Sequence, residues 1–567
     1  MKRQQQILSL AFLIAFALSA CGKSDQVPQE NVDYPYYESA LAKKKTVNLS
    51  FFKGQKDIPY LSITTLQTLL ESMMKESGDS TYALAKTSTG KSITFTRENK
   101  ASCHFDFEAG TLTFSDYDLF SAIPCMSSGL DIDTSTDLNA SGEGIYLQRQ
   151  TTKAFYRPGT ELVLTPKDYD IPLYYQGGEG YLPLTMASDF FFAPFQPTLA
   201  FNGESVFLFS GSMADLSDVY YQVTPKAVSN ELASFSYHEL CFALDYLYGL
   251  KKQHGISDFD TTFRQNGYQS AFLGTDPVQQ DIAYEKLAYS LFADFHSNFV
   301  ANSPFAGKES TPARSEAMLT YGSPSYLAKY DSFMKVRAAQ NAAFPNGCPI
   351  YQVVGDTAYV TFDSFVSGDE DYYTTAPTAD AVYTFGVCAY AHKQITSDSA
   401  VKNVVLDLSA NTGGESRAAL YTLAWFLGEA AVSIQSAATG GASTTVYRAD
   451  LNLDHVFDEK DTLSGKNLYC LISPMSFSSG NLVPSFFKNS GKVTLLGQNS
   501  GGGACNVQPL VSATGSYLTI SCERILSRCF NGSFYDIDQG VAPDFTISQL
   551  SNFYDRTSLT RMIDFLK

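Results

Sequence analysis

The stretch 467–507 limits the fold more than any other part of the chain. An apolar run from Leu468 to Ile472 breaks at Ser473 and Pro474 and leads into Ser476-Phe477-Ser478-Ser479-Gly480-Asn481. Apolar residues then return at Leu482, Val483, Phe486 and Phe487, the spacing of one helical face. The pattern predicts a buried strand, a turn of small residues and a helix, with Pro484 in the first helical turn. A second short β-rich run, 492–496, closes in Gly497-Gln498-Asn499-Ser500-Gly501-Gly502-Gly503. At a turn between a buried strand and a helix N-terminus, free backbone N–H groups and the helix dipole both favour negative charge. A nucleophile gains most there, and Ser478 is placed for that role.

A second strand of the same kind precedes it. Val404-Val405-Leu406-Asp407-Leu408 runs into Ser409-Ala410-Asn411-Thr412-Gly413-Gly414, and a helix follows through Ala419, Leu423 and Phe426. Glycines after a buried strand let backbone N–H groups approach a ligand closely, which makes this turn a candidate second oxyanion donor. Upstream, amphipathic helices are predicted at 236–253 and 283–292. The latter ends in Asp294-Phe295-His296-Ser297. His104, His238, His254, His392 and His455 read as structural or solvated, and none forms the HExxH pair of a zinc peptidase.

These segments together resemble the tail-specific (C-terminal processing) serine peptidases and the related tricorn core peptidase. The resemblance covers 236–545. Gly491-Lys492 and Gly497 fall in register with the family pattern and assign the nucleophile to Ser478. Asp294-Phe295-His296-Ser297 resembles the Asp-Gly-His-Ser segment that supplies the histidine base of tricorn-type members, with Phe295 in place of glycine. Asp407 to Gly414 resembles the Asp-Leu-Arg-x-Asn-x-Gly-Gly turn, so the implied oxyanion donors are Gly413, Gly414 and Ser479. Gln539-Gly540-Val541-Ala542-Pro543-Asp544 resembles the close of the catalytic domain and implies Asp538, or alternatively Asp536, as the supporting acid.

The chain reads Ser478-Ser479-Gly480-Asn481 where the family has Ser-Ala-Ser-Glu. Gly503 stands at the position of the family's lysine base, with no lysine between Lys492 and Lys567. The implied subtype is therefore Ser-His rather than Ser-Lys. The segment 301–347 is too short for the PDZ domain that many members carry. The implied fold is a mixed α+β and α/β multidomain chain whose C-terminal core is a crotonase/ClpP-like ββα spiral. The implied function is a serine endopeptidase acting on protein or peptide substrates without a cofactor. The alternative is a catalytically decayed lipoprotein on the same scaffold that binds peptides or cell-surface ligands.

Length and composition supply the rest. A chain of 567 residues exceeds a single core. The 41 Phe and 35 Tyr against one Trp lean toward β-rich parts. A formal charge of -18 argues against nucleic acid as a partner. Lys2 and Arg3 before the apolar run 7–18, followed by Leu18-Ser19-Ala20-Cys21, resemble a bacterial lipobox. This places the expected mature protein in the cell envelope, facing outside the cytoplasm and held by a lipid on Cys21.

The expected divisions are a signal peptide at 1–21, a linker at 22–45 and an α+β region with a duplicated unit at 46–225. A helical segment at 230–345 carries the histidine, and 346–567 forms the catalytic domain. Cys103 with Cys125 and Cys522 with Cys529 are candidate bridges. The acidic run 449–461 places Asp450, Asn452, Asp454, Asp458 and Asp461 at calcium-loop spacing, but His455 stands where the turn wants glycine, so a solvated acidic loop is the favoured reading.

Overall fold

The computed structural model describes residues 28–38, 45–76, 82–122, 129–131, 146–211, 213–488, 490–530 and 533–566. The signal peptide, Cys21 and Cys125 lie outside them. The protein is a mixed α+β multidomain chain with a β-rich N-terminal region and a sheet of mostly parallel strands near the C-terminus.

That sheet positions the candidate site. Its order is Tyr351–Val354, Thr357–Thr361, Asn403–Asp407, Asn467–Ile472, Val493–Gly497 and Phe545–Thr546, parallel from the second strand onward. Each strand of the repeat feeds a helix: Thr384–Ser397, Ser416–Leu427 and Ser479–Phe487. Side chains alternate across the pleat. Val404 and Leu406 pack with Trp425 and Phe426 on one face, while Val405 and Tyr469 meet Phe553, Leu559 and Ile563 of the last two helices on the other. Burial on both faces explains the unbroken apolar runs in the sequence.

The second sheet carries the histidine segment. Asn298–Ala301 pairs antiparallel with the long strand Tyr517–Phe530, which also pairs with Cys505–Val511 and Ala430–Ser436. Helix boundaries shift from the sequence expectation. The predicted 236–253 helix spans Asn230–Leu247, with Ser229 accepting from Leu232 N–H as its cap, and the 283–292 helix begins at Pro277 and ends as a π-helical turn, Leu287–Phe292. The helix after the serine turn starts at Ser479, which places Pro484 in its interior rather than in its first turn.

Three expectations about organisation need correction. Pro28–Glu38, expected as part of a linker, is a strand paired antiparallel with Lys45–Phe52 and parallel with Val206–Ser210, because its apolar and aromatic positions fit a pleat. The duplicated unit expected within 46–225 does not form two separate bodies: Gln55–Ser62 and Glu179–Pro183 are neighbouring strands of one seven-stranded sheet, each running into a helix. The region 46–225 is not self-contained either, since Leu147–Arg149 and Phe155–Arg157 pair with Ala442–Ala449 of the C-terminal part. Cys103 and Cys522 carry free, buried thiols, so neither is held in a bridge.

One buried ion pair ties the chain's end to the sheet. Arg556 donates to the Asp407 carboxylate at 2.6 Å, with both side chains almost fully buried, and its guanidinium lies 4.5 Å over the Tyr359 ring. Asp407 also accepts from Ser409 N–H and Oγ at the start of the Gly413-Gly414 turn. Truncating one partner would strand the other charge without compensation. Arg556→Ala is expected to lower stability by about 3–5 kcal/mol, read as a shifted midpoint in chemical denaturation; an unchanged midpoint would refute this role.

Candidate active site

Parallel pairing brings the two turns together. Asp407 is in register with Leu471, so the segments that follow both strands leave the same end of the sheet side by side. Phe477 N–H then donates to Asn411 C=O at 3.1 Å, Ser476 Oγ to Leu408 C=O at 2.7 Å and Ser479 Oγ to Gly414 C=O at 2.8 Å. A Cβ on Gly413 would lie 2.6 Å from Ser478 Cβ and 3.0 Å from Ser479 N, a closeness only glycine permits. Ser478 itself has φ 56° and ψ -124° at the N-terminus of its helix, a strained backbone that costs on the order of 1–3 kcal/mol. Its N–H donates to Gly502 C=O at 2.9 Å, which locks the turn against the glycine loop.

The three candidate oxyanion donors differ. Gly413 N–H is taken by Asn411 Oδ1 at 2.9 Å. The N–H groups of Gly414 and Ser479 have no acceptor among the described residues. Asn481, where the family pattern has glutamate, is fully buried; its Nδ2 donates to Ile537 C=O and its Oδ1 accepts from Ser500 Oγ. It fastens the serine helix to both the glycine loop and the 537–541 segment.

His296 reaches this place from a distant part of the chain. Its C=O accepts from Thr519 Oγ1 at 3.0 Å, and its ring centroid is 4.8 Å from that of Phe477, the residue before Ser478. Phe295 adopts φ 61°, the conformation glycine takes easily, at a cost of about 1–2 kcal/mol. Its ring packs 4.4 Å from Tyr326, 5.1 Å from Phe333 and 5.9 Å from Phe477, contacts that offset the strain. Asp294 shapes the turn by accepting from the N–H groups of His296 and Ser297, and its other oxygen accepts from Tyr248 OH. Burial pushes the His296 pKa down to about 4, with Asp294 opposing the shift and Lys329 adding to it. Among the described residues its Nδ1 is buried without a partner, and no hydrogen bond joins its ring to Ser478 Oγ.

Asp538 lies beside this cluster, its Oδ1 accepting from Ala504 N–H at 3.0 Å, whereas Asp536 is exposed. Burial raises the Asp538 pKa. Neither carboxylate hydrogen-bonds His296. A cleft of about 370 Å³ is lined by Asp294, Lys329, Asp538, His254, Ser500 and Gly503. Sequence reading missed Asp294 and Lys329 as site residues; the first was visible as the opening residue of the histidine segment, the second had no local signal.

The remaining candidates fall elsewhere. His392 is buried and accepts from Trp425 Nε1, and His455 stacks on Tyr373. The calcium-loop spacing is a hydrogen-bonded turn: Asp450 accepts from His455 N–H and Tyr373 OH, Asp461 from the N–H groups of Leu451, Asn452 and Asp458, and Asp458 from Lys460 N–H. Asp454 accepts from Val456 N–H and from the side chain of Asn452. Asp450 and Asp461 are buried and anchor the ends of the loop, while Asp454, His455, Val456, Glu459 and Lys460 are exposed, so its outer part is solvated as expected. Among the described residues no group of His, Cys, Asp or Glu is arranged to hold a metal ion.

Gly503, the position of the family's lysine, has φ 86°, and a Cβ there would lie 2.6 Å from the Phe477 ring and 3.2 Å from His296 Cε1. The aromatic ring and the imidazole occupy the space that any side chain at 503 would need. Gly503→Ala should therefore displace both and lower turnover at least a hundredfold, as small misplacements of reacting groups do; steady-state kinetics showing near-native kcat would disprove it.

Residues 356–547 match the profile of Peptidase family S41. A search of curated proteins found no match. Among solved structures, the photosystem II D1 C-terminal processing protease is 18% identical over 34% of this chain and 42% of its own, with a TM-score of 0.25. This chain thus spans less than half of that protein. A lipoprotein from Streptococcus agalactiae is 14% identical over 60% of this chain and 96% of its own, TM-score 0.35, and mature CPAF complexed with lactacystin is 12% identical over 59% and 97%, TM-score 0.38.

Proposed function

We propose that this chain, whose residues 356–547 match the profile of Peptidase family S41, is an extracytoplasmic, lipid-anchored serine endopeptidase that cleaves protein or peptide substrates through Ser478 and His296. The observation that carries this reading is the convergence of a strained, half-exposed Ser478, two N–H groups without acceptors, and a histidine packed on the residue before the serine. The crowding at Gly503 favours histidine over lysine as the base.

In this mechanism a His296 ring nitrogen takes the Ser478 proton as Oγ attacks the peptide carbonyl, with the ring and hydroxyl drawn into hydrogen-bond contact once substrate is bound. The N–H groups of Ser479 and Gly414 receive the oxyanion, while Gly413 keeps the turn close to the serine. His296 then protonates the leaving amine, and water releases the acyl group by the same route. Asp538, rather than exposed Asp536, is the supporting acid in this reading, acting without a direct hydrogen bond to the imidazole, and Asp294 holds the loop that presents it.

Ser478→Ala should abolish labelling by a fluorophosphonate and all peptidase activity. His296→Ala should lower kcat/KM on the order of a thousandfold or more. A histidine base works only when neutral, and burial depresses the His296 pKa, so the acid limb of kcat/KM should lie well below the ordinary histidine range, near pH 4. A limb at 6.5 or above, or full activity in His296→Ala, would refute the assignment. Folded protein that the probe does not label would instead be a ligand-binding lipoprotein on a decayed scaffold.

Anchoring is tested separately. Among the described residues no helix is long and apolar enough to cross a membrane. Cys21→Ser should move the protein from the membrane fraction to the soluble fraction without unfolding it, because the acyl chains would be the anchor. Retention in membranes after a salt wash would rule out Cys21 as the sole attachment.

A further inference from the structure

Among the described residues lining the cleft, Lys329 is the one lysine or arginine, and the mechanism above leaves it without a role. It sits on the helix Pro324–Ala343, remote in sequence from every motif. Its Nζ lies 5.1 Å from the centre of the Phe295 ring and 4.8 Å from the centre of the Phe477 ring, both within cation–π range. Phe295 immediately precedes the base, and Phe477 immediately precedes the nucleophile. Both loops hold a residue other than glycine at positive φ, Phe295 in one and Ser478 in the other. The two rings meet edge to face, 5.9 Å apart.

We propose that Lys329 is a positioning residue of the peptidase site, whose ammonium holds the histidine loop and the serine turn together through the rings that precede His296 and Ser478. The proposal rests on the Ser-His reading above and extends it.

The surrounding charges agree with a cation at this point. Asp294 comes from the histidine loop and Asp538 from the segment after the last long strand, with Asp536 behind it; both Asp294 and Asp538 favour the charged form of Lys329 while burial disfavours it. The other polar groups around Asp294 include Ser297 Oγ, which donates to its carboxylate at 2.8 Å, Tyr248 OH, with His254 beside it, and the Cys505 thiol. Among the described residues Lys329 makes no ion pair, so its charge faces the two rings and the cleft. A positive charge close to the imidazole also disfavours its protonation, which keeps His296 able to accept a proton in acidic surroundings. Lysine is thus retained near the site by a helix that no family motif marks, in a supporting part and not as the base.

Lys329→Met keeps the aliphatic stem and removes the charge; Lys329→Arg keeps charge and ring contact. Lys329→Met should lower kcat ten- to a hundredfold with KM changed less, and should move the acid limb of kcat/KM up by roughly one pH unit. Lys329→Arg should restore the limb and most of kcat. The His296 titration is read independently by NMR of histidine-labelled Ser478→Ala protein, with His296→Asn to assign its signal, and the Met variant should raise the apparent pKa there too. Wild-type kcat and an unmoved titration in Lys329→Met would overturn the proposal, as would a loss that Lys329→Arg does not recover. If wild-type protein is not labelled by fluorophosphonate, the peptidase reading fails, while the titration still decides whether Lys329 acts on His296.

Discussion

The parallel register of Asn403–Asp407 with Asn467–Ile472 is the constraint from which the site follows. Parallel strands release their chains at the same sheet end, where open α/β sheets gather their functional loops. Here that places a glycine turn against a serine turn, and bonds from Ser476, Phe477 and Ser479 to Leu408, Asn411 and Gly414 fasten them. The Arg556–Asp407 pair braces the same strand end from the opposite face of the sheet. The histidine is delivered by a different sheet, through Asn298–Ala301 on Tyr517–Phe530, so Ser478 and His296 sit on two frameworks that meet at Phe477 and Gly503.

Much of the catalytic sheet was legible because its strands are buried on both faces and therefore read as unbroken apolar runs. Val404–Leu408 and Leu468–Ile472 could hardly be anything else once glycine and serine turns followed them. The boundaries were less legible. Ser229 as a cap at the start of a long helix, or Ser479 as the first residue of the helix after Ser478, depends on where a backbone N–H finds an acceptor, which spacing alone does not reveal. Pro28–Glu38 was misread as a linker because proline, acid and tyrosine mask the pleat of an interior strand, and its partner Val206–Ser210 is far along the chain.

Site residues divide along the same line. Ser478, His296 and the glycines stand in short motifs whose chemistry is local. Asp294 was visible only as part of a motif, although its carboxylate bonds to the backbone of His296 and Ser297. Lys329 had no motif at all: it belongs to a helix with a weakly apolar face, and its place in the site is created wholly by tertiary packing of that helix against Phe295 and Phe477. Phe295 illustrates how a departure from a motif is absorbed. A left-handed phenylalanine costs about 1–2 kcal/mol, yet its ring supplies contacts to Tyr326, Phe333 and Phe477 that glycine could not make.

The two strained residues then have a common explanation. Ser478 at φ 56° projects its hydroxyl from the turn instead of into the helix cap, and Phe295 at φ 61° turns the chain so that the next residue, His296, faces Phe477. Neither conformation would persist in a loose loop, because relaxation would recover the cost. They persist because the ring cluster of Phe295, Phe333 and Phe477, the glycine loop at 501–503 and the Asn481 bonds leave no alternative place for either backbone. What looks in the sequence like a degraded motif, with phenylalanine for glycine and asparagine for glutamate, is in the structure a different set of supports around the same two groups. The family's lysine position is closed by packing, and the volume it would have filled holds the imidazole and the aromatic ring that joins it to the serine.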